Sequence, residues 1–176
     1  MLAACARREQ PAGTTTAAGA KPSTTTAVEK PATVGTDVGS QFPDYTATRL
    51  DGSAFDIKDE RNSVVLVNVW ATWCGPCRVE IPELQQLHDR YASRGFKVIG
   101  VSVDNSGAEI VKPFTEMAKM TYPIVVDPDE KITGVLNISV LPTTVLLDRK
   151  GRILWKKFGA IEKNNAELKQ AIEKAL

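Results

Sequence analysis

Residues 70–82, Trp70 to Pro82, read WATWCGPCRVEIP and set Cys74 and Cys77 two residues apart. They follow the nearly continuous apolar run Val64 to Trp70 (VVLVNVW), as expected of a central strand covered on both faces. After them, Cys77, Ile81, Leu84, Leu87 and Tyr91 recur at three- and four-residue spacings, predicting a helix from about Cys74 to Arg94. The pair thus falls at a strand-to-helix junction, where unpaired backbone N–H groups and the positive end of the helix dipole favour a thiolate. The thiolate is the nucleophile of thiol–disulfide exchange, and i, i+3 spacing puts the second sulfur one turn along, placed to resolve a mixed disulfide. A structural zinc site would need two further ligands, and only His88 and Cys5 are on offer. The setting therefore reads as a redox pair, with no metal and no cofactor beyond the cysteines themselves.

Working outward, Gly95 is placed to cap the helix, and Phe96 to Val103 (FKVIGVSV) reads as a second buried strand. A helix near Ile110 to Met120 should follow, starting late so that Pro113 falls in its opening turn. Pro123 to Val126 is short and strand-like. Thr143 to Leu147 and Ile153 to Phe158 read as a hairpin around Arg149-Lys150-Gly151, and Asn164 to Leu176 as a final amphipathic helix. This order predicts an α/β fold with a central mixed β-sheet flanked by helices. Trp70 and Trp155 are expected in the core, and His88 at the surface.

The 176 residues divide unevenly. All eleven aromatics lie at or after Phe42, whereas the preceding stretch carries Thr14-Thr15-Thr16 and Thr24-Thr25-Thr26 among Ala, Gly and Pro. Such a segment buries too little apolar surface to offset its ordering entropy. Residues 1–36 read as a tether, with a reach of roughly 30 Å as a flexible coil, and 37–176 as one domain. The tether holds four basic and two acidic residues of the 22 and 21 in the chain, leaving the body 18 and 19, a net −1. No field of one sign exists to draw in nucleic acid or an anionic membrane, and no apolar run is long enough to span a bilayer.

WCGPC is the active-site motif of thioredoxin-like proteins, and other positions resemble the same pattern. Pro82 falls eight residues after Cys74, where that family kinks its active-site helix, and Val140-Leu141-Pro142-Thr143-Thr144 looks like its cis-proline loop. Closer still is the resemblance to the TlpA/ResA branch of extracytoplasmic thiol–disulfide oxidoreductases. Residues 38–45 (VGSQFPDY) with Leu50-Asp51-Gly52 look like that branch's N-terminal β-hairpin extension. The helical stretch before Tyr122 to Asp127 looks like its βα insertion, and Arg78 and Glu80 match its habitual residues after the second cysteine. The resemblance runs from about Thr36 to Leu176 and implies a thioredoxin fold.

It also implies roles. Cys74 attacks and Cys77 resolves; Trp73, Gly75 and Pro76 shape the surface around them; the backbone of Leu141, before cis Pro142, pairs with an extended substrate. Cytoplasmic thioredoxins carry a buried Asp where this chain has Asn68, which cannot titrate. Asn105 stands where the branch commonly has Glu. That leaves Asp104, Glu80 or water as the proton relay, with Asp104 alternatively a turn or capping residue. Leu2-Ala3-Ala4-Cys5 looks like a bacterial lipobox, with Cys5 the lipidation site. Only Met1 precedes it, so this reading expects the chain to start inside its signal peptide. The resemblance implies a cell-envelope reductant of protein disulfides, apocytochrome c among its substrates, with a membrane electron donor of the DsbD/CcdA kind and membrane contact only through the lipid. Two alternative functions stand beside this one. An AhpC/TSA-type thiol peroxidase would need Pro and Thr where Val67 and Ala71 stand, and a non-enzymatic binding lipoprotein would not need an intact WCGPC.

Overall fold

The computed structural model describes residues 33–176. Cys5 and the lipobox-like segment lie outside them, as does the tether up to residue 32. Thr33 and Gly35 already pair through their backbones with Gln41, ahead of the expected start of the body at 37.

Seven strands form one mixed sheet in the order β2-β1-β5-β4-β3-β6-β7. Its centre is β3 (Val64–Trp70), buried at every position as the apolar run required. β3 runs parallel to β4 (Phe96–Ser102) and antiparallel to β6 (Thr143–Leu147). The link between the parallel pair is α1 (Gly75–Tyr91), a helical crossover of the kind parallel neighbours need. A 3₁₀ turn, Ala92–Arg94, extends it to Gly95, whose left-handed backbone (φ 87°) ends it. β6 and β7 (Ile153–Phe158) form the expected hairpin, and α4 (Ala166–Ala175) packs on β7.

On the other side, the extension is a hairpin of β1 (Thr46–Arg49) and β2 (Ala54–Asp56) turning through Leu50–Ser53. The inserted segment is α2 (Ala108–Met117) followed by β5 (Ile124–Val126), which lies between β4 and β1. α2 corrects one expectation. It starts earlier than Ile110, so Pro113 sits in its second turn rather than its first and forgoes one helical hydrogen bond. A short helix, α3 (Lys131–Leu136), was not foreseen; its Ile, Thr, Gly and Val are weak helix formers, and burial of Ile132 and Leu136 holds it in place. Trp70 and Trp155 are both in the core.

Candidate active site

The chain leaves β3 at Trp70 and enters α1 at Cys74 through a loop pinned from the neighbouring strand. Asp104, just past β4, accepts the Thr72 N–H at 2.9 and 3.2 Å and the Thr72 hydroxyl at 2.6 Å. Ser102 donates to the same carboxylate at 2.7 Å. Asp104 is thus occupied in holding the run-in to the cysteines.

Cys74 is the N-cap of α1: its sulfur accepts the Cys77 N–H at 3.2 Å, satisfying a donor that the helix itself leaves unpaired. The two sulfurs form a disulfide. Cys74 is 5% exposed and borders a groove of about 540 Å³, whereas Cys77 is 1% exposed and lies behind it. Trp73 (67% exposed), Gly75 and Pro76 form one side of that groove; Ile138, Val140 and Leu141 form the other. The Leu141–Pro142 bond is cis. Pro142 is buried, and its carbonyl accepts the Gly159 N–H at 2.8 Å, which anchors the loop facing the cysteines.

One turn beyond Cys77, on the same helix face, lies Glu80, 1% exposed. Asn68, in the middle of β3, donates to one of its oxygens at 2.7 Å and to the Thr144 hydroxyl at 3.0 Å. The Ile161 N–H donates to the other oxygen at 2.7 Å. Burial pushes the Glu80 carboxyl up to about 7, against the pull of the Ile161 and Asn68 bonds and the charge of Lys157. A buried carboxyl raised toward neutrality therefore lies one helical turn along α1 from the inner cysteine. Asn68, which does not titrate, orients it. Glu80 was named from the sequence, but its clamp of Asn68, Thr144 and Ile161 was not. Those residues come from a strand, a second strand and a loop, and no spacing links them. Asn105 is exposed, its side chain near the Pro128 carbonyl. Among the described residues, no group of three or more His, Cys, Asp or Glu is arranged to hold a metal.

A CxxC disulfide at the head of a helix, a cis-proline loop lining the same groove and a thioredoxin-type sheet beneath define a thiol–disulfide oxidoreductase. Residues 37–172 match the Redoxin family, and the chain belongs to it, as a thioredoxin-like protein of the ResA/TlpA type. The thiol-disulfide oxidoreductase ResA of Geobacillus kaustophilus is 34% identical over 130 residues, 74% of each chain. A Chlorobium tepidum structure assigned as the thiol:disulfide interchange protein DsbE is 29% identical, with TM-score 0.74 over 79% of this chain and 97% of its own. The secreted thiol-disulfide isomerase of Corynebacterium glutamicum is 27% identical, with TM-score 0.68 over 75% of this chain and 83% of its own.

Proposed function

We propose that this chain reduces protein disulfides outside the cytoplasm, with Glu80 as the base of the resolving step. The Cys74 thiolate attacks one sulfur of a substrate disulfide, a mixed disulfide forms, and the other substrate sulfur leaves as a thiolate. Cys77 then gives its proton to Glu80 and attacks the Cys74 sulfur. The Cys74–Cys77 disulfide forms, the substrate leaves with both sulfurs reduced, and two electrons have passed to it. The observation that carries this reading is the Glu80 carboxyl, buried one turn from Cys77 and poised at about 7. Asp104 is less suited to the task because Thr72 and Ser102 already occupy both of its oxygens.

Reduction rather than oxidation is supported by the Gly75-Pro76 dipeptide, which the thioredoxin resemblance associates with a reductant. The TlpA/ResA resemblance supports apocytochrome c as a substrate and a membrane donor of the DsbD/CcdA kind as the source of electrons. The lipobox-like Leu2 to Cys5 supports a lipid anchor, and the likeness to a secreted isomerase supports an extracytoplasmic place. Among the described residues no helix is long and apolar enough to cross a membrane. The direction is tested by equilibrating the pair with glutathione or dithiothreitol buffers. A potential nearer thioredoxin's, about −270 mV, supports a reductant; one nearer DsbA's, about −120 mV, overturns it.

A further inference from the structure

The groove beside Cys74 is lined almost wholly by apolar or uncharged residues, Trp73, Pro76, Val103, Ile138, Val140 and Leu141 among them. Among the described residues that line it, one is charged: Glu130. Its backbone is left-handed (φ 55°, ψ 29°), a conformation that a residue with a Cβ adopts only when its surroundings hold it there. The surroundings here do. The Glu130 N–H donates to the Asp127 carbonyl at 2.9 Å, and the Glu130 carbonyl accepts the Thr133 N–H at 3.0 Å and hydroxyl at 2.6 Å. Its side chain is exposed and makes no capping bond to α3. The neighbouring Lys131 is engaged with Asp129 at 3.2 Å. A hydrogen-bonded turn therefore places one exposed acidic residue in the lining of the groove beside Cys74.

We propose that Glu130 is a specificity-determining residue, selecting disulfide substrates that carry Lys or Arg close to the reacting cysteines. This rests on the disulfide-reductase reading above and adds the substrate's charge to it. A cation approaching an apolar groove with a single anion on its rim gains attraction that an acidic flank replaces with repulsion. In an exposed site that difference appears chiefly in the association rate and weakens with salt.

Three synthetic peptides with the same intramolecular disulfide, flanked by Arg, Gln or Glu, are mixed with the fully reduced protein, and the second-order rate of its oxidation is followed by stopped-flow tryptophan fluorescence. At low ionic strength the Arg peptide should react about tenfold faster than the Gln peptide and the Glu peptide slower still, with the spread contracting to less than about threefold in 0.5 M NaCl. Glu130→Gln should collapse the Arg-to-Gln ratio to about one, as expected when the charge among the described groove-lining residues is removed. Glu130→Gly should do the same, and glycine suits the left-handed backbone, so the comparison survives if the Gln variant folds poorly. Equal rates for the three peptides with the native chain, or a charge preference retained in both variants, would overturn the proposal. Exchange with none of the peptides would overturn the reductase reading and this inference with it.

Discussion

Glu80 has two hydrogen-bond donors and almost no water, and that contest sets its chemistry. Burial favours the neutral acid, whereas Asn68 and Ile161 favour the carboxylate, and the balance falls at about 7. In the resolving step the carboxylate is the active form, so the single-turnover decay of the mixed disulfide should accelerate with rising pH through an inflection near 7. Glu80→Gln should slow that step roughly a hundredfold at pH 7, the low end for loss of a general base, and abolish the inflection. Rapid-quench sampling of the mixed disulfide reads both. Asn68→Ala removes a donor that stabilises the charged form, so the inflection should move above its native position, while a thiolate-independent probe of folding stays two-state. Both residues were legible one at a time in the sequence. Their contact was not, because twelve residues and the whole strand-to-helix turn separate them.

The elements that carry the site were the most legible part of the chain, because each has a one-dimensional signature. β3 shows an unbroken apolar run, α1 a 3.6-residue periodicity ended by Gly95, and β6 and β7 a turn sequence between two strands. The start of α2 and the whole of α3 escaped for opposite reasons. Pro113 argued for a later start, yet the helix tolerates it at the cost of one bond, and α3 has little helix propensity of its own. Tertiary packing overrode local preference in both. The close approach of β4 to its neighbours was also invisible. A Cβ at Gly100 would lie 2.9 Å from Ile124 Cδ1, 3.0 Å from Trp70 Nε1 and 3.2 Å from Tyr122 Cε2, all core side chains. Gly100→Ala should therefore destabilise the protein by about 1–3 kcal/mol, as overpacking does. Chemical denaturation at fixed pH checks it, and an unchanged midpoint would show that the core yields more readily than the packing implies.

For the whole molecule, two buried carboxyls give the pH dependence of stability opposite signs. Burial tends to raise Glu60, but hydrogen bonds and charge from Lys97 and Arg49, both 2.7 Å away, hold it below the ordinary glutamate range. Its contribution is present above the unfolded value and is lost as pH falls. Glu80 is raised from 4.5 to about 7 in the disulfide form, so its contribution is full below 4.5 and is lost as pH rises through 7. Unfolding free energy of the oxidised protein should accordingly fall by about 3 kcal/mol between pH 4.5 and 8 from this group alone. Glu80→Gln should flatten that slope in urea titrations across the range. No composition average shows this, since the near-neutral charge counts acids without saying which are buried. The protein as a whole should act through one dithiol, entered through Cys74, that exchanges with protein disulfides. The most direct test is to incubate the reduced Cys77→Ser protein with a disulfide-bonded protein and to map the adduct by mass spectrometry under non-reducing conditions. A mixed disulfide at Cys74, absent from Cys74→Ser, is the expected result; no adduct with Cys77→Ser, or one through Cys77 in the Cys74→Ser protein, would contradict it.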